Sequence, residues 1–416
     1  MSAARRVALL LEEARDLLEG RIDASVPAWS DRRGWTDFLL ALDDASLARC
    51  ESEGLAAVAP SLPGLPDSLS ALAAAARAVT ELPELAPLIV PDELTGPAWS
   101  LSGEMREVKA RKRAELSHLA VAVDRMARGA ARIVDIGSGS GHFTSLAAQL
   151  FGRQTLGIER DPERVARAQA RADQRAHHIE SRGGAATFRA VDASREPLAL
   201  LADDLAVGLH ACGSLGDRLV LAAAETGCDV ALVSCCSQKI EGETRLPLSS
   251  ASAGLTLRRD ILGLANLTSQ PRGVETTIEA TMDARQARFA LLHLLRGRGL
   301  TVTPGEEMRG INRRRARGGL SELAGLALSR RGLSPATPAE IASREAEARA
   351  LFARARRLSL PRNMLARPVE IAVVLDRAAR LAESGHHVRT GTLFERSVTP
   401  RNIALLASRD PSKLRS

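Results

Sequence analysis

Three glycines spaced two residues apart, Gly137, Gly139 and Gly141, follow a β-branched run that contains Asp135. Glycine tolerates positive φ and lets a ligand come close to the backbone, so this stretch predicts a tight turn beneath a bound nucleotide. A dinucleotide-binding loop needs glycine where His142 stands, and the Gly-Lys-Ser/Thr end of a phosphate loop is absent. The spacing therefore favours a different nucleotide-like cofactor, with an ordinary strand-to-helix turn as the alternative.

Carboxylates follow the next two predicted strands. Glu159 comes after the strand expected at 155–158, and Asp192 comes after the strand expected at 187–191. The carboxyl ends of parallel strands meet at one edge of a sheet, where these acids could hold a ribose diol and an adenine amine. Strand, acid, strand, acid is the pattern of a class I methyltransferase, so we expect S-adenosylmethionine as the cofactor. The predicted cofactor-binding residues are Asp135, Gly137, Ser138, Gly139, Gly141, Glu159, Arg160, Asp192, Ala193 and His210.

The fourth and fifth predicted strands, 205–209 and 229–233, end in residues that could act on a methyl acceptor. His210 could serve as a base near neutral pH, or it could only hydrogen-bond the neighbouring strand. Cys212 could attack a pyrimidine ring, although alanine stands where such cysteines follow proline or threonine. The predicted catalytic residues are His210, Cys212, Cys235 and Cys236.

A metal site is the alternative use of these side chains. His210, Cys212 and one of Cys235 or Cys236 could converge, because neighbouring strand ends lie together. No C-x-x-C spacing supports such a site, and adjacent cysteines in an extended chain point in opposite directions. We therefore predict no metal, and small buried thiols that shape the pocket.

A sheet with alternating helices must position these residues. Helices predicted at 142–151, from 163 to about 181, and from about 216 alternate with the strands. A helix predicted at 104–130 precedes the first strand and carries Lys109 and Lys112, our expected contacts for a phosphate or for the cofactor carboxylate. A solvated basic helix face is the alternative. The pattern predicts an α/β, Rossmann-like class I methyltransferase fold.

Composition limits the partners. The 416 residues carry a net charge of +7, yet residues 1–100 hold 8 arginines against 16 acids, so the positive charge lies in the remainder. A basic catalytic part suits an anionic partner such as RNA, and a merely solvated basic surface is the alternative. Only 2% of the residues are aromatic and none is tyrosine, so base-stacking platforms are scarce.

Cysteine usage and apolar runs indicate the compartment. Five cysteines form no regular framework, so we expect reduced thiols in a cytoplasmic protein. The amino-terminal apolar run 7–11 is too short for a signal peptide, and no apolar segment reaches the roughly 18 residues of a membrane span. Residues 1–103 are predicted to form a helical domain that is structural or binds a partner.

Several segments resemble the methyltransferase-like protein 25 family and, more distantly, the eukaryotic tRNA acceptor-stem 2′-O-methyltransferases. The resemblance spans roughly residues 104–416. The matching segments are the basic helix 109–115, His210-Ala-Cys-Gly213, Cys235-Cys236, Leu246-Pro-Leu-Ser249, 369–377, Leu393-Phe394 and Ser397-Val-Thr-Pro-Arg-Asn402.

The resemblance implies that the catalytic sheet is completed late in the chain. A helix at 368–383 and an antiparallel pair at 388–394 and 402–407 would complete a mixed seven-stranded sheet. The implied order is a helical domain 1–103, a cofactor-binding core 104–240, a basic helical insertion 241–366 and a closing segment 367–416.

The insertion contains an arginine-rich stretch. Arg313, Arg314 and Arg315 could belong to a lid that captures RNA phosphates, and a disordered linker is the alternative. With Lys109 and Lys112 they make up the predicted substrate-binding residues. The sequence thus favours a methyltransferase that acts on RNA, tRNA or rRNA, with a protein acceptor or a non-catalytic binding module as alternatives.

Overall fold

The computed structural model describes residues 2–20, 22, 25–85, 108–176, 183–267, 278–395, 398–399 and 401–414. These residues form two compact units. The sheet unit contains residues 1–15, 76–270 and 365–416, and the helical unit contains residues 16–75 and 271–364. The domain boundary predicted at residue 103 lies outside the described residues, and so do Ser397 and Pro400 of the Ser397–Asn402 motif.

Strands of the sheet unit lie close to the predicted positions. They are β1 Arg132–Ile136, β2 Gln154–Glu159, β3 Ala185–Ala190, β4 Asp204–Leu209, β5 Asp229–Val233, β6 Thr244–Arg245, β7 Leu257–Arg258, β8 His387–Thr392 and β9 Ile403–Ser408.

The main sheet has seven strands in the order β3-β2-β1-β4-β5-β9-β8. The first five strands of this order pair in parallel, and β9 pairs antiparallel with both β5 and β8. Strand β1 lies inside the sheet between β2 and β4, and its Ile133-Val134 run is buried, as suits a covered parallel strand. Strands β6 and β7 form a separate antiparallel pair.

The helices supply the layers on the sheet and the whole of the second unit. They are α1 Ala3–Glu13, α2 Arg15–Glu19, α3 Ala28–Arg32, α4 Thr36–Ala41, α5 Asp44–Glu53, α6 Leu55–Val58, α7 Asp67–Thr80, α8 Ala110–Gly129, α9 His142–Phe151, α10 Pro162–Gln174, α11 Ser214–Thr226, α12 Arg259–Leu262, α13 Ile278–Gly297, α14 Gly319–Ser329, α15 Pro338–Met364 and α16 Ala366–Glu383.

Helix boundaries depart from the sequence expectation in several places. Helix α8, predicted to start at residue 104, begins at Ala110, and α16, predicted to start at residue 368, begins at Ala366. Helix α10 ends at Gln174, before the predicted end near 181, and residues 177–182 lie outside the description. Helix α11 begins at Ser214 because Gly213, with φ of 52°, turns the chain two residues earlier than predicted. Among the described helices, none combines the length and apolarity that a membrane crossing requires.

Both compact units combine distant parts of the chain, unlike the four consecutive segments expected from the sequence. Residues 241–270 group with the sheet because the backbone N–H groups of Leu248 and Ser249 donate to Asp376 on α16. In the helical unit, Arg356 on α15 makes two hydrogen bonds, at 2.9 and 2.6 Å, to Glu51 on α5. Side-chain contacts between remote helices, rather than chain order, therefore decide the grouping.

Candidate active site

The glycine turn joins β1 to α9. Gly137, Gly139 and Gly141 have φ of 76°, 58° and 76°, in the left-handed region that favours glycine. The backbone N–H groups of Gly137 and Ser138 donate to the carbonyl oxygen of Ile158 on β2, at 2.8 and 3.0 Å. The turn is thus held at the carboxyl edge of the sheet by backbone bonds.

The three glycines have different surroundings. A Cβ atom at Gly141 would lie 2.5 Å from the ring of Phe188 on β3, so packing alone excludes a side chain there. At Gly137 the nearest side-chain atom, of Leu215, would lie at 3.4 Å, which is ordinary contact. At Gly139 the nearest atom is the backbone oxygen of Gly137 at 3.9 Å. Gly139 therefore leaves open space above the turn.

Asp135 lies beneath the turn rather than in it. Its side chain is buried, and one carboxylate oxygen accepts from the hydroxyl of Thr144 on α9 at 2.7 Å. Burial raises the pKa of Asp135 to about 6, against the lowering effect of the Thr144 hydrogen bond. The residue connects the end of β1 to the first turns of α9.

Glu159 at the end of β2 points at the glycine turn. One carboxylate oxygen accepts from the N–H of Gly139 at 3.0 Å, and the other accepts from the N–H groups of Arg160 and Asp161 at 3.1 and 3.2 Å. The backbone fixes this carboxylate beside the open space above Gly139.

The loop after β3 carries Asp192 and Ala193. One Asp192 oxygen accepts from the N–H and the hydroxyl of Ser194, at 3.0 and 2.5 Å. These bonds lower the pKa of Asp192, so its carboxylate is charged at neutral pH. The carbonyl of Ala193 accepts from Arg218 on α11 at 2.7 Å, which ties this loop to a neighbouring helix.

His210 follows β4 with φ of 71°, a conformation uncommon outside glycine. Its Nε2 lies 3.0 Å from a carboxylate oxygen of Glu115 on α8. Its Nδ1 is enclosed and has no hydrogen-bond partner among the described residues. A carboxylate only accepts, so Nε2 carries a proton in this pair, and Nδ1 has a free lone pair when the ring is neutral.

Glu115 is a side chain of this site to which the sequence analysis assigned no role. It is 1% exposed, although it follows a run of cations in the sequence. Burial would raise its pKa, but the hydrogen bond and charge of His210, together with Lys112 and Arg111, hold the pKa below its usual value. The available signal was its position four residues before Leu119, on the apolar stripe of α8.

The cations of α8 differ in burial. Lys112 is partly buried, with Nζ 3.5 Å from Glu115, and burial lowers its pKa against the opposing charges of Glu115 and Asp135. Arg111 is exposed and pairs with Glu115 at 3.3 Å. Lys109 is exposed at the start of the helix. Lys112 therefore faces the buried carboxylates, while Lys109 and Arg111 face solvent.

Three predicted catalytic cysteines meet beside His210. Cys212 and Cys235 form a disulfide, so the expectation of reduced thiols is wrong for this pair. The Sγ atoms of Cys212, Cys235 and Cys236 all lie within 4.8 Å of one another. The argument that adjacent cysteines point apart does not hold here, because residues 234–236 have left strand β5 and lack its alternation.

Arg313, Arg314 and Arg315 lie in the helical unit, in an ordered 3₁₀ turn Arg313–Gly318 rather than in a disordered linker. Ala316 anchors the turn in the apolar core of that unit. The side chain of Arg315 pairs with Glu322 at 3.0 Å, and all three arginines are exposed.

A buried ionic network lies behind the ends of β4 and β5. Arg377 on α16 donates to Asp217 at 2.8 Å, to the carbonyl of Gly213 at 2.7 Å and to the hydroxyl of Ser234 at 2.9 Å. Arg245 joins Asp217 to Asp376 through bonds of 2.9 and 2.8 Å. Three of the segments that carried the family resemblance, 210–213, 246–249 and 369–377, therefore meet at this network.

Comparison with known proteins matches residues 111–243 to the family described as a methyltransferase domain. An RNA methyltransferase from Salinibacter ruber, solved with S-adenosyl-L-homocysteine, is 20% identical over 32% of this chain and 82% of that chain, with a TM-score of 0.23. A magnesium protoporphyrin IX methyltransferase from Synechocystis, solved with the same ligand, is 13% identical over 72% and 83%, with a TM-score of 0.29.

The strand order and the family match carry the assignment. A mixed seven-stranded sheet with a reversed last strand, with the matched region running from α8 to just before β6, is a class I methyltransferase fold, as predicted. The chain carries an S-adenosylmethionine-dependent methyltransferase of this class, and S-adenosylmethionine is its cofactor.

Proposed function

We propose that this methyltransferase acts on RNA, with His210 as the general base and Glu115 as the residue that positions it. The observation that carries the proposal is the His210–Glu115 pair at the end of β4, with the cations of α8 beside it. The base and the cations come from one helix and one strand end, so an anionic acceptor would meet both together.

Residues of the sheet edge fit the cofactor. S-adenosylmethionine supplies an electrophilic methyl group on a sulfonium. Glu159, fixed by three backbone N–H groups, would accept from the ribose hydroxyls, and the second oxygen of Asp192 would accept from the adenine amine. The Ser138 hydroxyl is buried without a partner among the described residues, and a cofactor atom would satisfy it.

Burial separates the roles of the two lysines on α8. Lys112 would hold the methionine carboxylate of the cofactor. It is the partly buried lysine of α8, and it lies near Glu115 and Asp135. Lys109 and Arg111 are exposed and would contact phosphate. Arg313, Arg314 and Arg315, exposed on the helical unit, would add phosphate contacts.

Glu115 would determine which nitrogen of His210 accepts the proton. The Glu115 carboxylate would accept the hydrogen bond from Nε2–H, and this leaves the Nδ1 lone pair of the neutral ring for the acceptor group. When Nδ1 takes a proton, the same carboxylate would stabilise the positive charge on the ring. An enclosed nitrogen without a partner costs about 1–3 kcal/mol, so an acceptor that donates a hydrogen bond to Nδ1 would recover part of that free energy. The oxygen or nitrogen nucleophile would lose its proton to Nδ1 as it attacks the methyl group.

We also propose an affiliation with the methyltransferase-like protein 25 family and, more distantly, with the tRNA acceptor-stem 2′-O-methyltransferases. In support, Leu248 and Ser249 of one resembling segment donate to Asp376 of another. Arg377 beside it bonds the carbonyl of Gly213, at the end of the His-Ala-Cys-Gly segment. Three of the resembling segments therefore contact one another in this chain, which supports treating them as parts of one pattern.

Transfer of a tritiated methyl group from the cofactor into a fractionated lysate tests the acceptor class. We expect label that RNase removes and protease does not. Label removed only by protease would establish a protein acceptor and overturn the RNA proposal. No label in any fraction, from protein that binds S-adenosylhomocysteine, would indicate a non-catalytic binding module.

Phosphate recognition can be tested with two matched arginines. Arg111 and Arg167 lie on helices, have side chains 65% and 64% exposed and each pair with a glutamate four residues away. We expect Arg111→Ala to weaken RNA binding about two- to tenfold at low salt and to lower the salt slope by roughly 0.7–0.9, the value of one phosphate contact. Arg167→Ala should leave both unchanged. A gel-shift assay measures RNA affinity. Equal effects of the two variants on this affinity would mean that the basic face of α8 is only solvated and does not contact phosphate.

A further inference from the structure

Three cysteine sulfurs converge where β4 and β5 end. The Sγ atoms of Cys212, Cys235 and Cys236 lie within 4.8 Å of one another, and Cys235 and Cys236 are 6% and 8% exposed. Cys212 and Cys235 are joined as a disulfide, with Cα atoms 5.5 Å apart, while Cys236 is a free thiol. Cys212 is only partly buried, so the cluster is reachable from that side, and the sulfur of Cys236 is not used by the disulfide.

Backbone geometry fixes this convergence. The carbonyl oxygen of His210 lies 3.1 Å from Sγ of Cys212 and 3.5 Å from Sγ of Cys235. The N–H of Ser214 donates to the carbonyl of Lys239 at 3.0 Å, so the segment after β5 folds over the turn after β4. A Cβ atom at Gly213 would lie 1.8 Å from that Lys239 oxygen, and only glycine allows the two turns to pack.

We propose that the reduced protein binds a soft divalent metal ion, best matched by zinc, through Cys212, Cys235 and Cys236, and that the disulfide is the oxidised, metal-free form of this site. Thiolates are the ligands that soft metals prefer. Ligands about 2.3 Å from one tetrahedral zinc ion lie roughly 3.8 Å apart, below the 4.8 Å limit within which these sulfurs lie, and reduction would let the bonded pair separate to that distance. Three sulfurs leave a fourth position for water or a substrate atom.

The redox step is balanced with a peroxide oxidant. The thiolates of Cys212 and Cys235 give two electrons to hydrogen peroxide and form one S–S bond. The O–O bond breaks, and its oxygens leave as two water molecules after taking up two protons. The site then has only the thiol of Cys236, and the ion is released. A thiol reductant reverses the step by thiol–disulfide exchange.

Cobalt(II) is the probe, because its thiolate charge-transfer absorption reports sulfur ligation directly. The full chain, reduced and freed of reductant, should bind cobalt with this absorption, and zinc should displace it. Hydrogen peroxide should abolish the absorption, and a thiol reductant should restore it. Absence of the band in the reduced wild-type protein would overturn the proposal.

Two buried cysteines provide a matched pair of variants. Cys236→Ala removes a proposed ligand, whereas Cys50→Ala removes a buried thiol of the helical unit. We expect Cys236→Ala to lose more than about 100-fold in cobalt affinity, since losing even a residue that only hydrogen-bonds a metal ligand costs roughly 10- to 100-fold. Cys50→Ala should bind as wild type does. Equal affinities in the two variants would contradict the assignment.

Two further measurements keep the test decisive. S-adenosylhomocysteine binding by Cys236→Ala checks that this variant is folded, and this readout does not depend on the methyl acceptor. If the variant fails to fold, X-ray absorption of the zinc-loaded wild-type protein counts the sulfur ligands. Three sulfurs are expected, and fewer would overturn the proposal.

Discussion

The sheet edge that we propose to be catalytic has a proposed cofactor end and a proposed acceptor end, and the two are constructed differently. The cofactor end, formed by the glycine turn and the ends of β2 and β3, is built by backbone groups and by acids that follow their own strands. The acceptor end, formed by Glu115, His210 and the three cysteines, joins side chains up to 121 residues apart in the chain. One end depends on local conformation, and the other depends on tertiary packing.

This difference predicts different responses to mutation. At the cofactor end, added bulk should block binding, because the open space above Gly139 is the feature that matters. At the acceptor end, loss of a charge or a proton acceptor should slow turnover while cofactor binding persists, because those groups lie on another strand and on α8. The following substitutions test the division, from the largest expected effect to the smallest.

Gly139→Arg should abolish S-adenosylhomocysteine binding, with a loss of more than about 100-fold, or roughly 2.7 kcal/mol. The side chain would fill the open space, and φ of 58° would strain the backbone. Gly183 is the matched control, with φ of 79° and the nearest atom at 4.0 Å, at the opposite edge of the sheet before β3. Isothermal titration measures the affinity of Gly139→Arg and Gly183→Arg for S-adenosylhomocysteine, and Gly183→Arg should bind as the wild-type protein does. Binding retained by Gly139→Arg would contradict the proposed difference between the two ends.

His210→Asn should lower kcat by about 100- to 10,000-fold, the usual contribution of a positioned general base. Asparagine is chosen because it tolerates the positive φ of this position better than alanine. The dissociation constant of S-adenosylhomocysteine should change by less than about threefold, or roughly 0.6 kcal/mol. A parallel loss of cofactor affinity and turnover would assign His210 a structural role.

Glu115→Gln should lower kcat by about 10- to 100-fold, the usual cost of losing a partner that orients a functional histidine. KM for the acceptor should stay unchanged, because Glu115 is enclosed and acts through His210. Glu307→Gln is the control, since Glu307 is also buried and pairs with Arg288 at 2.8 Å, within the helical unit. If Glu115→Gln and Glu307→Gln lower the free energy of unfolding equally and Glu115→Gln keeps its kcat, the carboxylate of Glu115 only stabilises the fold.

Asp135→Asn should make stability less dependent on pH. The folded-state pKa of about 6 lies above the ordinary 3.8, so between these values the folded protein keeps a proton that the unfolded chain has lost. Stability therefore falls as pH rises through this window, and between pH 5 and 7 the wild-type protein should lose about 1 kcal/mol relative to Asp135→Asn.

Denaturant unfolding at both pH values measures this loss. Asp192→Asn is the control, because the pKa of Asp192 is lowered and its carboxylate stays charged across the whole range. Its stability difference from the wild-type protein should not change between pH 5 and 7. A constant difference for Asp135→Asn as well would mean that the buried carboxylate does not hold a proton in the folded state.

Local patterns predicted the elements that the structure contains. Helix α9 and strand β5 have the predicted bounds, because a glycine turn and a short β-branched run fix their ends within a few residues. Helix α11 begins two residues early because the packing of Gly213 against Lys239, 26 residues away, sets its start. The two compact units combine distant parts of the chain because contacts between remote helices, such as Arg356 with Glu51, are not encoded in chain order.

The sequence by itself determined the glycine turn and the acids of the proposed cofactor end. Positive φ at three glycines, an acid at the end of β2 and an acid after β3 are properties of short segments, so spacing alone predicted a turn between parallel strands with acids beside it. Only the tertiary structure decided the acceptor end. The burial of Glu115, its bond to His210 and the meeting of three sulfurs arise when α8, β4 and the chain after β5 pack together. The strength of the interactions among these side chains depends on how far each is removed from water and on the distances between them, and residue spacing in the sequence encodes neither.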